Sequence, residues 1–347
     1  MKPKETVLVT GGTGFVGLQI VFQLLQKGYK VNTTLRSLKS IDNVIESLKS
    51  NGITTFENLS FFETNLTDDK NWDKAMQGCK YVLSVASPVF FEVPKDENEA
   101  IRPAVEGILR VLKFAKKEGV KRVVMTSNFG AVGFSQTDKT RATTEADWTD
   151  TKLSGLSVYE KSKTLAEKAA WNFIKNEGSN LEFATINPVA ILGPSLNAHV
   201  SESFNFLKHM LDGSMKAVPP ITLNIVDVRD VAALHILAME TPDANRKRFI
   251  ATADGQISMP EIAIFLRKTF PDISSKVSTK TLPVFLVKFG SLFNAQAKQG
   301  VMLIKVNRNV SNAQAKDILD WTPIATNEEA IMASVESLVK YDIITSN

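Results

Sequence analysis

Residues 8–17 read LVTGGTGFVG, and the flanks of this stretch decide the fold. Upstream, residues 6–10 (TVLVT) form a short apolar run suited to a buried strand; downstream, residues 18–28 (LQIVFQLLQKG) suit a helix. Strand, glycine turn and helix in that order make a phosphate-binding βα turn. Gly11 permits the tight turn, Gly14 lets a pyrophosphate approach the backbone at the helix N-terminus, and Gly17 lets the helix pack closely on the sheet. Three glycines at this spacing carry little weight alone. With the strand and the helix in place they predict a dinucleotide site.

The alternation continues along the chain. Apolar runs at 29–35, 59–63, 80–86, 121–127 and 181–187 read as further buried strands. Between them, Ile41, Val44, Ile45 and Leu48 fall at helical spacing, as do Ile108, Val111, Leu112 and Ala115. This predicts an α/β fold, a Rossmann-type doubly wound parallel sheet covered by helices on both faces. After Asn187 the texture changes: Pro and Gly become frequent (NPVAILGP, 187–194; KAVPPI, 216–221), and helical stretches at 258–270 and 327–341 are no longer regularly interleaved with strands. Residues 1–186 are therefore expected to form the dinucleotide-binding domain, with sheet contributions from about 221–252. Residues 187–347 are expected to form mainly a smaller C-terminal α+β lobe that binds substrate across a shared cleft.

Composition narrows the function classes. The 347 residues are 44% hydrophobic and 22% charged, values typical of a globular chain. A net charge of +4 is spread over 41 basic and 37 acidic residues without a long basic run, so no nucleic-acid groove is indicated. No segment approaches the roughly 18 apolar residues of a spanning helix. The N-terminus enters a strand without a signal-peptide stretch, so a cytoplasmic location with no membrane partner is expected. The single cysteine, Cys79, has no internal partner, and His199, His209 and His235 lack metal-ligand spacing; all four read as structural, with no metal site expected.

Position 36 selects the cofactor. An NAD site usually places an acidic residue about 20 residues beyond the glycines to hold the ribose hydroxyls. Here the second strand ends in TLRSLKS (34–40), where Arg36, with Ser37 and Lys39 close by, offers donors and positive charge to a 2′-phosphate. NADP(H) is expected over NAD.

The chemistry falls to residues 158–171, VYEKSKTLAEKAAW. Tyr159 and Lys163 are four apart on strong helix formers, so both side chains lie on one helical face. The segment follows the fifth predicted strand, whose C-terminal end is where open α/β sheets bind ligands. A cation beside Tyr159 is expected to stabilise its phenolate and lower its pKa from near 10. Tyr159 would then protonate a carbonyl oxygen under hydride attack, while a hydroxyl or amide from Ser127 or Asn128 hydrogen-bonds that oxygen.

With these motifs in order along the chain, the sequence resembles the extended short-chain dehydrogenase/reductases. Within them it is similar to the branch of dihydroflavonol reductases and yeast-type methylglyoxal/ketone reductases. VTGGTGFVG, Arg36, VASPVFF, RVVMTSNFGAVGF, YEKSKTLAEKAAW, INPVAILGPSL and IVDVRDVAALHILAME carry the resemblance from residue 6 to about 240. It implies NADPH as reductant, Tyr159 as proton donor, and Lys163 holding the nicotinamide ribose. It also implies cofactor contacts from Thr13, Phe15, Val16, Asn65, Leu66, Ala86 and Ser87, and from backbone near Pro188 and Val189. Two positions depart from the pattern: Asn128 stands where this branch usually has serine, and Asn65 where it tends to have Asp. Phe90, Phe129 and Phe204, with Phe91 and Phe134, are candidates for an apolar substrate pocket. The expected function is NADPH-dependent reduction of a small-molecule aldehyde or ketone by a monomer or homodimer. An NAD-retaining nucleotide-sugar epimerase or dehydratase, and a non-catalytic NADP-sensing protein, are the alternatives.

Overall fold

The computed structural model describes residues 4–88 and 96–344. Seven parallel strands form one sheet: β1 (Thr6–Thr10), β2 (Lys30–Leu35), β3 (Leu59–Glu63), β4 (Tyr81–Ser84), β5 (Arg122–Thr126), β6 (Glu182–Pro188) and β10 (Lys247–Ala251). Their spatial order is β3-β2-β1-β4-β5-β6-β10. The first six coincide within two residues with the apolar runs of the sequence. The seventh begins with Lys247 and Arg248, so hydrophobicity alone hides it.

Successive side chains of a strand point to opposite faces, and the packing follows that rule. Val7 and Val9 of β1 enter one apolar layer, together with α1 (Phe15–Gln26), α2 (Ile41–Ser50), α7 (Val228–Glu240) and α11 (Ala313–Leu319). Leu8 enters the opposite layer with α3 (Trp72–Met76), α4 (Glu97–Lys117) and α5 (Val158–Asn176). Cys79 is buried in this second layer. The strand order reverses beside β1, so the crevice at the carboxyl ends of β1 and β4 is where ligands of such sheets bind.

A third apolar cluster belongs to the second half of the chain. It joins α6 (Asn205–Leu211), α8 (Met259–Thr269) and α12 (Asn327–Lys340), and Phe15 of α1 reaches into it. Two small sheets accompany it: β7 (Ala190–Leu192) pairs parallel with β9 (Ile225–Asp227), and β8 (Thr222–Leu223) pairs antiparallel with β11 (Ile257–Ser258). Beyond them α9 (Val284–Gly290) and α10 (Ala295–Lys305) form a hairpin, with Val287 and Gly290 turned toward Gly300 and Ala297.

Candidate active site

At the end of β1, Thr10 Oγ1 accepts the N–H groups of Val85 and Ala86, each at 2.9 Å, which draws the loop after β4 over the glycine turn. Gly11 has φ +77°, and a Cβ added there would stand 3.2 Å from Ala86 Cβ. Gly12, which spacing alone does not single out, is equally constrained: its Cβ would meet Thr33 Oγ1 at 2.2 Å. Gly17 packs against backbone. Its missing Cβ makes room for the Gly11 carbonyl oxygen, 2.2 Å from where that atom would be, with the Thr10 carbonyl oxygen at the end of β1 at 3.5 Å, so the start of α1 closes on both the turn and the strand end.

Gly14 ends the turn, its N–H donating to the Gly11 carbonyl at 3.0 Å, and α1 begins at Phe15 with no side-chain cap. The helix's first N–H groups, from Phe15 and Val16 on, are left for an anion, and Thr13 sits on the same turn. This turn, which a Cβ at Gly11, Gly12 or Gly17 would press against neighbouring protein atoms, presents helix N–H groups that fit a dinucleotide pyrophosphate. Arg36 stands exposed just past β2, with no ion pair among the described residues, and Lys39 is exposed one turn further on. Asn65 is exposed, its Oδ1 accepting the Thr67 N–H at 3.1 Å, which leaves its amide nitrogen open. Leu66, Ala86 and Ser87 meet Thr126 and Lys163 around a cavity of about 20 Å³, room for one water.

A capping box fixes where α5 starts: Ser157 Oγ accepts the Glu160 N–H and Glu160 accepts the Ser157 N–H. Tyr159 therefore lies in the first turn, 39% exposed, and Lys163 one turn deeper, 4% exposed. Lys163 Nζ donates to the Thr126 carbonyl at 3.4 Å and lies 5.9 Å from the centre of the Tyr159 ring. Burial pulls the Lys163 ammonium down to about 8, against the pull of the Glu167 carboxylate. Although the residue is part exposed, protein crowded around the Tyr159 phenol, then the Glu160 and Glu202 carboxylates, move it opposite to the sequence expectation, upward from 10. Lys163, whose ammonium donates to the Thr126 carbonyl, is not among the groups that move the phenol.

Ser127 and Asn128 separate cleanly. Ser127 is 2% exposed and its hydroxyl donates to Glu167 Oε2 at 2.6 Å, inside the protein. Asn128 is half-buried beside the first turn of α5; its Oδ1 accepts the Ala131 N–H at 3.1 Å, and its Nδ2 has no partner among the described residues. Pro188 ends β6, and Val189 is tied to β10 by its N–H on the Ala251 carbonyl at 3.1 Å.

Two of the phenylalanines expected to line a pocket, Phe129 and Phe204, are interior instead. Phe204 is fully buried edge-to-face on Phe15, ring centres 5.3 Å apart, because the third apolar cluster closes around both. Phe129 is 2% exposed and packs edge-to-face on half-buried Phe134. Phe90 and Phe91 lie outside the described residues. Sequence reading missed Glu167 and Asn187. The available signal was a charged residue continuing the Tyr159, Lys163 spacing on a helix face that is otherwise buried.

A Rossmann sheet with this glycine turn, and with a tyrosine and a lysine one helical turn apart at its carboxyl edge, defines an extended short-chain dehydrogenase/reductase. Residues 8–256 match the 3-beta hydroxysteroid dehydrogenase/isomerase family, and the chain belongs to it. An anthocyanidin reductase of Vitis vinifera is 35% identical over 77% of this chain and 82% of its own length. A dihydroflavonol 4-reductase of Arabidopsis thaliana is 33% identical over 78% and 70%. Among solved structures, Gre2 of Candida albicans in complex with NADPH superposes with a TM-score of 0.78 at 29% identity, over 97% of this chain and 99% of that one. Yeast methylglyoxal/isovaleraldehyde reductase Gre2 with NADPH gives 0.79 at 25% identity, over the same shares. These relatives are reductases, which goes against the epimerase alternative. No helix among the described residues is long and apolar enough to cross a membrane.

Proposed function

We propose that this chain is an NADPH-dependent carbonyl reductase that converts small or medium aldehydes and ketones to alcohols. The observation that carries the reading is the convergence of Tyr159, Lys163 and the unpaired Asn128 amide at the same sheet edge as the glycine turn. NADPH, when bound, supplies a hydride; the turn at Gly11–Gly17 would hold its pyrophosphate, and Arg36 with Lys39 its 2′-phosphate. Backbone at Pro188 and Val189 would face the nicotinamide, and Asn65 and Leu66 the adenine side.

Asn128 Nδ2 donates a hydrogen bond to the substrate carbonyl oxygen and orients it. Tyr159 Oη gives that oxygen its proton. Ordinarily near 10 and here pushed upward, the phenol stays protonated at neutral pH, as a donor in the reductive direction must be. Lys163, mostly charged at pH 7, stabilises the negative charge left on the tyrosine oxygen. Ser127, committed to Glu167, acts from behind.

The test follows nicotinamide absorbance with NADPH and with NADH against methylglyoxal, aliphatic and aromatic aldehydes, diketones and dihydroflavonols. Turnover with NADPH preferred is expected. Silence across the panel with NADPH still bound would replace this reading by that of a non-catalytic sensor.

A further inference from the structure

The functional face of α5 does not end at Lys163. One turn deeper, Glu167 is completely buried and collects five donors. Ser127 Oγ at 2.6 Å and Asn187 Nδ2 at 2.7 Å reach its Oε2. Thr185 Oγ1 at 3.2 Å, Trp171 Nε1 at 3.2 Å and Arg248 Nε at 2.7 Å reach its Oε1. A buried ion pair is a costly way to fill a core, which apolar side chains fill more cheaply. Two links run from it to the reacting end. Asn187 Nδ2 also donates to the Asn128 carbonyl at 3.2 Å, and the carboxylate lies one helical turn from Lys163.

We propose that Glu167 is the positioning residue of this site: a buried anion that keeps Lys163 protonated and, through Asn187, fixes the backbone of Asn128. The inference rests on the Tyr159 and Lys163 reading given above. Proton donation by Tyr159 then depends on a carboxylate that never meets the substrate.

The other charged groups around Lys163 do not do this. Glu97 of α4 is paired with Lys161 at 2.6 Å. Arg248 of β10 sits on the Oε1 side of Glu167, its guanidinium stacked 3.7 Å from the Trp148 ring centre, and its own charge opposes that of Lys163. Tyr159 is neutral at working pH, and Glu160 is held in the helix cap. From the strands the cavity beside Lys163 receives Ser84, Met125 and Thr126, none charged. Burial lowers the Lys163 pKa and the Glu167 charge raises it.

The experiment is a titration of Lys163 by the chemical shift of its ¹³C-labelled Cε, in the full chain without substrate, alongside the pH profile of NADPH-dependent reduction. In Glu167→Gln the midpoint should fall below about 8, with the alkaline limb of kcat moving down by the same amount. For every pH unit by which the midpoint falls, kcat above it drops about tenfold, while activity well below the midpoint is largely kept. Glu167→Asp, which retains the charge, should restore most of the midpoint. A purely structural role would lower activity equally at every pH and leave the midpoint in place, and that result overturns the proposal. Arg248→Gln supplies an independent arm should Glu167→Gln not fold: with its cation removed the buried carboxylate should shift the Lys163 midpoint, upward if it stays charged and downward if it takes a proton, and an unchanged midpoint overturns the proposal. The Lys163 titration stands even if no carbonyl is reduced, so failure of the reductase reading and failure of the anchor are told apart.

Discussion

At one end of the crevice the binding surface is backbone; at the other it is side chains standing on a buried charge. From Thr10 to Gly17 the ligand would meet N–H groups, and the sequence contributes mainly by withholding Cβ atoms, at Gly11, Gly12 and Gly17. Along α5 the working groups are a phenol, an ammonium and a carboxylate, each a turn below the last and progressively less exposed. The first surface is local in sequence and depends on steric room. The second depends on partners from β6, β10 and the residue just past β5, as far as 81 residues from Glu167. Binding and turnover should therefore fail separately.

The largest effect is expected at the side-chain end. Tyr159→Phe removes the proton donor and should lower kcat by roughly 10²- to 10⁴-fold while leaving NADPH affinity nearly unchanged. Equal turnover would break the proposed mechanism. At the backbone end, Gly17→Ala drives a Cβ against the Gly11 carbonyl oxygen, a strain of about 1–3 kcal/mol. Dinucleotide affinity measured by fluorescence titration should fall some 10- to 100-fold, while the Lys163 titration midpoint stays where it is. A moved midpoint would mean the two ends are coupled.

Arg36→Asp sharpens the cofactor side alone. NADPH should weaken by on the order of 10- to 100-fold and NADH hardly at all. Equal losses would take the 2′-phosphate away from Arg36.

The smallest effect concerns stability beneath the catalytic end. His235 is buried under Thr126, whose hydroxyl donates to Nε2 at 2.7 Å while Nδ1 donates to the Val231 carbonyl at 2.7 Å. Burial pulls the ring down from 6.5 to about 4. Between those values the unfolded chain binds the extra proton, so this contribution is complete above about pH 6.5 and is lost as pH falls toward 4. Asp230, raised to about 6 chiefly by burial, works in the opposite direction. His235→Gln should thus remove on the order of 2 kcal/mol of pH dependence from urea-unfolding stability between pH 7 and 5. An unchanged slope would show that the ring is not buried in its neutral form.

Six of the seven sheet strands were legible because a strand buried on both faces must be apolar throughout, and apolar runs survive in a one-dimensional reading. β10 was covered only by the broad expectation of a sheet contribution from about 221–252 and not by an apolar run, since Lys247 opens it and Arg248 is spent inside on Glu167 and on the carbonyls of Glu145 and Asp147. Phe204 was ambiguous for a related reason. An aromatic ring reads the same in sequence whether it lines a cleft or closes a core, and Phe204 closes one.

The sequence by itself determined the glycine turn, the basic residue at position 36 and the helical register that stacks Lys163 below Tyr159. Each follows from local spacing and the sterics of a few consecutive residues. Only the tertiary structure decided that Ser127 turns inward while Asn128 Nδ2 is left without a partner among the described residues, that the Lys163 ammonium donates to the Thr126 carbonyl, and that Glu167 carries a charge into the core. Those outcomes depend on which strand lies beside which and on how far water is excluded, and neither quantity is written in the spacing of residues along the chain.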